Sequence, residues 1–274
     1  MDVVLTEIFT WRGNEVRWSR RGSGPAVVFC HGTPWSSALW EPIADALSAE
    51  FTVHLWDMPG YGTSTMADGQ DVSLGTQGEL LAALLAEWDL EAPHVVAHDY
   101  GGVVALRAHL LHGARYRSLA LVDAVALAPW GTEFLRLVRD NVDVFTRIPA
   151  AIHEGLVRQY VRGAGARPLA PAEEEMLVRP WLSDAGQAAL YRQMAQADER
   201  FTDEVEPRYP EIDLPVTVVW GGADPWLPVE QGRRLAALIP GAQLHVVEGV
   251  GHLIQLEAPA TLTAILQRWL LAGR

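Results

Sequence analysis

The sequence predicts an α/β domain with a mostly parallel central sheet flanked by helices and an inserted helical lid. Three observations carry this reading. Short apolar runs at 26–30, 51–56, 94–97, 118–122, 216–220 and 243–247 alternate with stretches of helical periodicity, the pattern of strand–helix–strand units. Between Ala124 and Pro215 the alternation stops, and helical patterns are punctuated by Pro129, Pro149, Pro168, Pro171, Pro180, Pro207 and Pro210. A chain of 274 residues, 49% of them hydrophobic, is long enough for one large domain carrying such an insertion. The expected division is a core over 1–128 and 211–274 and a lid over 129–210.

Val3 to Thr10 and Glu15 to Ser19 read as two strands joined at Gly13-Asn14, a hairpin signal. The continuously apolar AVVFC over 26–30 is expected of a strand buried on both faces of a parallel sheet. It runs into HGTPWSS over 31–37, and a helix follows with Ser36 or Ser37 as N-cap. Leu39, Ile43, Ala46 and Leu47 would form its apolar face. Phe51 to Trp56 is the next strand, closed by the turn DMPGYGTS over 57–64. Leu74 to Trp88 has helical periodicity, His94 to Ala97 is a strand, and Val103 to Leu111 continues the helix after it. Ser118 to Val122 is a strand ending at Asp123. Within the insertion, helices are expected at Phe134–Val138, Ile152–Tyr160 and Ala188–Met194. Val216 to Trp220, Val229 to Leu238, Gln243 to Val247 and Pro259 to Leu271 then read as strand, helix, strand and helix.

The charge of −13 argues against a nucleic-acid partner. All basic residues are Arg, so Schiff-base and P-loop chemistry that needs Lys is excluded. No apolar run is long enough to span a bilayer, and the acidic start at Met1 to Glu7 has no basic n-region, so neither a membrane nor a secretory signal is expected. The single Cys30 fits a reducing, cytoplasmic setting. The histidines show no spacing that suggests a metal site, and no cofactor is implied.

The chain is organised around PHVVAHDYGG at 93–102: an apolar strand, a tight turn with Asp99 at its tip, then a helix opened by two glycines. Small residues at Ala97, Gly101 and Gly102 let such a turn pass close to its neighbours, and the tip residue protrudes above the sheet. Asp224 in WGGADPW and His252 in GVGHL also follow strands. A carboxylate on Nδ1–H of a histidine fixes the tautomer and leaves Nε2 free to accept a proton. Asp123, which also ends a strand, is the alternative acid. The backbone N–H groups of Thr33 and Tyr100 could together form an oxyanion hole, one donor of which is typically worth ~3 kcal/mol. His31 reads as a structural histidine near that loop, and His98 as packed beneath the elbow. Trp35, Trp130, Trp181 and Trp226 could line an apolar pocket or be ordinary core.

These segments, with the order Asp99, Asp224, His252, resemble the α/β-hydrolase superfamily over nearly the full chain. HDYGG at 98–102, with HGTP at 31–34, is similar to the aspartate-nucleophile branch of epoxide hydrolases and haloalkane and fluoroacetate dehalogenases. The resemblance implies a cofactor-free hydrolase in which Asp99 attacks carbon to form an alkyl ester. Water activated by His252 then hydrolyses it. Epoxide opening needs a proton donor, and Tyr191 stands about where epoxide hydrolases keep one lid tyrosine. The partner position falls near Phe145, which has no hydroxyl, with Tyr160 as a substitute. Haloalkane dehalogenases usually have Trp where this chain has Tyr100 and often Asn at Thr33; fluoroacetate dehalogenases have Arg at Tyr100. Epoxide hydrolysis is therefore the first expectation and halide displacement the alternative. A biosynthetic lyase or isomerase and a non-catalytic ligand-binding member of the fold are the others. The expected partner is a small apolar organic substrate, bound by Trp35, Tyr191, Phe145 and Trp226. Oligomeric state is not readable from the sequence.

Overall fold

The computed structural model describes residues 4–272. Its eight strands are β1 (Glu7–Trp11), β2 (Asn14–Arg21), β3 (Ala26–Cys30), β4 (Thr52–Trp56), β5 (His94–Asp99), β6 (Ser118–Ala124), β7 (Val216–Gly221) and β8 (Gln243–Val247). They form one sheet in the order β1-β2-β4-β3-β5-β6-β7-β8. The hairpin β1–β2 and the β2–β4 pair are antiparallel, and every other pairing is parallel. The α/β fold class expected from the alternation is therefore the fold observed.

Alternation along the strands divides the core between the two faces of the sheet. Val28, Val95, Ala97, Leu119 and Leu121 pack on one face with Leu80, Leu81 and Leu84 of α2 (Leu74–Glu87) and Val103, Val104 and Leu106 of α3 (Tyr100–His112). Val27, Phe29, Val96, Ala120 and Val122 pack on the other, against Ile43 and Leu47 of α1 (Glu41–Leu47). With both faces covered, β5, β6 and β7 are buried at every residue, which explains their unbroken apolar runs.

Two local readings shift. Trp11 pairs with Asn14, so the hairpin turn is Arg12-Gly13, one residue earlier than expected. Both turn residues have positive φ, +48° and +79°, the two-residue turn whose twist matches a hairpin. On α1, Ala44 is buried and Ala46 exposed, because a 3-10 turn over Ser37–Trp40 precedes the helix and rotates its face. Ser36 is the N-cap of that turn, accepting from Ala38 N–H. Val3, the expected start of the first strand, and the first residues of the Met1–Glu7 segment lie outside the described residues.

Between β6 and β7 the chain is helical. It contains α4 (Glu133–Asp140), α5 (Val142–Phe145), α6 (Ala150–Arg162), α7 (Pro171–Val178), α8 (Asp184–Ala195) and α9 (Arg200–Asp203). The four-residue helices α5 and α9 are too brief for periodicity to show. After β7 come α10 (Val229–Leu238), α11 (Ile254–Glu257) and α12 (Pro259–Ala272). Leu262, Leu266 and Leu270 of α12 complete the second core face. Among the described residues no helix is long and apolar enough to cross a membrane, and no cluster of three or more His, Cys, Asp or Glu could hold a metal ion.

His54 on β4 lies between Trp88, at 5.1 Å, and Trp18, at 6.4 Å, and burial lowers its pKa from 6.5 to about 4. The folded state thus binds fewer protons than the unfolded state between these values, and stability falls as pH drops through that window. By pH 5 the loss from this group is about 2 kcal/mol. Urea midpoints at pH 7 and pH 5 check this: His54→Phe is expected to lose less stability than the native chain over the same interval.

Candidate active site

Loops at the carboxyl ends of β3, β5 and β7 and the segment after β8 converge on one point. Asp99 ends β5 and is the residue before α3, at φ +51° and ψ −122°. That backbone is unfavourable for a residue with a side chain and costs about 1–3 kcal/mol unless its surroundings hold it. They do: a Cβ on Gly101 would meet the Cys30 and His31 carbonyl oxygens at 2.6 and 2.7 Å, and one on Gly102 would meet Ala124 Cβ at 2.5 Å. The glycines after Asp99 are thus required by close approach.

Around Asp99 the polar groups form a line. Its Oδ1 accepts from the Thr33 backbone N–H at 2.6 Å. Its Oδ2 is 3.4 Å from His252 Nε2. His252 Nδ1 donates to Asp224 Oδ2 at 2.8 Å, and Asp224 Oδ1 accepts from the N–H groups of Trp226 and Leu227 at 2.8 and 2.9 Å. The Tyr100 N–H is the first amide of α3, whose initial donors have no acceptor within the helix. Burial alone would lower the His252 pKa, but the carboxylates of Asp224 and Asp99 outweigh it and hold it well above the usual imidazole value.

Asp123 is fully buried at φ +39°, and its Oδ1 accepts from Gly221 N–H at 2.7 Å. Burial and then the nearby Asp224 push its pKa well above the carboxylate range. The structure brings Asp224, not Asp123, to the imidazole. His31 donates from Nδ1 to the Gly32 carbonyl and accepts at Nε2 from Met58 N–H, tying two loops together. His98 donates from Nε2 to the His252 carbonyl at 3.0 Å, fixing that backbone from beneath the elbow.

A small pocket adjoins Asp99. Thr33, Tyr100, Thr132 and Tyr160 supply its other polar groups, while Val125, Trp130, Leu135, Trp226 and Leu227 supply apolar walls. The Tyr100 hydroxyl is buried without a hydrogen-bond partner, and the Tyr160 hydroxyl lies against that of Thr132. Burial raises the pKa of both phenols, which therefore stay protonated.

Of the expected substrate-binding residues, only Trp226 lines this pocket. Trp35 is one layer back, stacked on Trp226 with centroids 5.5 Å apart. Tyr191 is displaced from the expected role because its hydroxyl donates to His153 Nδ1 at 2.8 Å. His153 Nε2 donates to the Trp181 carbonyl at 2.9 Å, which leaves Nδ1 as an acceptor. Phe145 packs on Tyr191 and Phe134 instead of on Asp99. Thr132 and Leu135 have no motif that sequence reasoning could find; their position follows from how α4 docks.

Fold and site define a class of protein: a mostly parallel sheet carrying an acidic elbow, an acid and a histidine in that chain order. Residues 25–259 match the family of the alpha/beta hydrolase fold, and the chain belongs to that family. A solved alpha/beta hydrolase fold protein from Burkholderia ambifaria is similar at 44% identity and a TM-score of 0.94, over 96% of this chain and 97% of that one. A pimeloyl-acyl-carrier-protein methyl ester esterase from Aeromonas hydrophila is 26% identical over 91% of this chain and 97% of its own length. The epoxide hydrolase CorEH shares the fold, with a TM-score of 0.82 at 18% identity over 98% and 99% of the two chains.

Proposed function

We propose that the protein is a cofactor-free hydrolase that opens a small, uncharged epoxide through a covalent ester of Asp99. The observation that carries this reading is the pairing of a carboxylate elbow with two protonated phenols, Tyr100 and Tyr160, in one pocket. Asp99 is the only ionisable carboxylate in the lining, and no Arg is there to bind a charged substrate.

Each group then has a step. Asp99 Oδ1 is held by Thr33 N–H, leaving Oδ2 to attack an epoxide carbon. The C–O bond breaks, and the ring oxygen takes a proton from a phenol. Esterification removes the Asp99 charge, one of the two that hold His252 protonated, and the imidazolium gives its proton to the phenolate. The imidazole can then accept a proton from water, whose hydroxide adds to the Asp99 carbonyl carbon. Thr33 N–H stabilises the resulting oxyanion, and the imidazolium protonates the departing alkoxide. The proton left on the Asp99 carboxyl returns to the imidazole, which restores the starting state, so the net reaction adds one water to the epoxide.

Displacement of halide from a haloalkane is the second reading. It is favoured by the unpartnered Tyr100 hydroxyl, which could solvate a leaving anion that needs no proton.

The test is intact mass spectrometry of His252→Ala after incubation with small epoxides and haloalkanes, followed by mapping of the adduct. The second half-reaction should stall, so an adduct on Asp99 from epoxides alone is the expected result. Labelling only by haloalkanes selects the second reading. A folded protein that no compound labels overturns the covalent mechanism.

A further inference from the structure

The oxyanion loop is pinned from the lid as well as from the core. Thr33 faces two ways: its N–H donates to Asp99 Oδ1 at 2.6 Å, and its Oγ1 donates to Gln193 Oε1 at 2.8 Å. Gln193 belongs to α8 and is only 2% exposed. The same Oε1 accepts from the Tyr61 hydroxyl, at 3.0 Å, in the turn after β4. Both acceptor sites of one amide oxygen are therefore used, by donors from two different loops of the core. The next residue of the loop is held too, since Trp181 Nε1 donates to the Pro34 carbonyl at 2.9 Å.

Packing does not account for an amide at this position. Gln193 Nε2 is buried without a hydrogen-bond partner, and an unmade buried hydrogen bond of this kind is a loss that an apolar side chain of similar shape would avoid. What the amide supplies is an acceptor for Thr33. We propose that Gln193 is a positioning residue: through Thr33 Oγ1 it fixes the oxyanion-hole N–H against Asp99, so that the lid helix α8 sets the geometry for hydrolysis of the ester. The catalytic consequence rests on the Asp99-ester reading above; the placement of the N–H does not.

Catalytic groups must hold their positions closely, because a displacement of about 1 Å can cost roughly a hundredfold in rate. In the first half-reaction Thr33 N–H contacts a carboxylate already formed, whereas in the second it meets charge developing on that oxygen. Loosening the N–H should therefore slow ester hydrolysis more than ester formation.

The experiment compares Gln193→Leu, Thr33→Val, Thr33→Ser and the double variant Gln193→Leu/Thr33→Val, each as the full chain. The first readout needs no substrate: the Thr33 amide proton in a nitrogen–proton correlation spectrum. A short bond to a carboxylate moves that proton downfield, and it should return upfield in Gln193→Leu and Thr33→Val but not in Thr33→Ser. The second readout uses the compound that labels His252→Ala. Gln193→Leu and Thr33→Val should lose about tenfold or more in kcat with kcat/KM nearly unchanged, so that KM falls with kcat, and should accumulate the Asp99 ester during turnover. The double variant should be no worse than the poorer single one, as expected of residues acting through one bond. An unmoved Thr33 amide in Gln193→Leu, or losses that multiply in the double variant, overturns the proposal. If no compound labels His252→Ala, the ester reading fails while the amide readout still decides the positioning role. Should Gln193→Leu not fold, the Thr33→Val and Thr33→Ser pair makes the same comparison with a smaller change.

Discussion

Asp99→Asn is expected to lower turnover by at least about 10⁴-fold while leaving the fold intact, the scale seen when a nucleophile is removed. The substitution preserves size and shape at the one position where both matter most. Asn tolerates the left-handed φ of +51° better than most residues, and an amide oxygen can still accept from Thr33 N–H. The charge and the nucleophilic oxygen are lost. No ester should form with any compound that labels His252→Ala, and thermal unfolding should show a midpoint close to that of the native chain. Deamidation would restore Asp, so intact mass is taken before and after the assay. Turnover that persists without mass change would mean the chemistry proceeds without an Asp99 ester, as in a lyase that uses only the histidine.

The fold was legible because both structural periods are written strongly. Apolar runs such as AVVFC mark strands covered on both faces, and prolines mark the insertion. Asp99, Asp224 and His252 were legible for a local reason: each sits in a short turn whose glycines or prolines constrain the backbone around it. Chain order suggests their roles, and of the two candidate acids it is Asp224 whose carboxylate meets the imidazole. The pocket was not legible, because its walls depend on how lid helices dock. Tyr191 and Tyr160 both carry phenols on lid helices, and nothing in their spacing says that one hydroxyl is bound to His153 and the other lies in the pocket. Gln193 was missed for the same reason, since its partners Thr33 and Tyr61 are 160 and 132 residues away.

Two buried aspartates near His252 should respond in opposite ways to the same substitution. Asp224→Asn is expected to reduce turnover by about 10³–10⁴-fold, because an amide can present its NH₂ to Nδ1 and select the wrong tautomer. The native carboxylate accepts there at 2.8 Å and is itself held by two backbone amides. Asp123→Asn should change turnover by no more than about threefold, since burial and the neighbouring Asp224 favour the neutral form of that carboxyl. Asn has nearly the shape of the neutral acid and can accept from Gly221 N–H as before. Stability gives an independent check. A carboxyl whose pKa rises on folding binds more protons in the folded state, so above its unfolded pKa it opposes folding increasingly as pH rises. Asp123→Asn removes that penalty, and its denaturant midpoint should exceed that of the native chain by more at pH 8 than at pH 5. A loss of turnover equal to that of Asp224→Asn, with no such gain, would mean that Asp123 is ionised and that the imidazole is held by a pair of carboxylates.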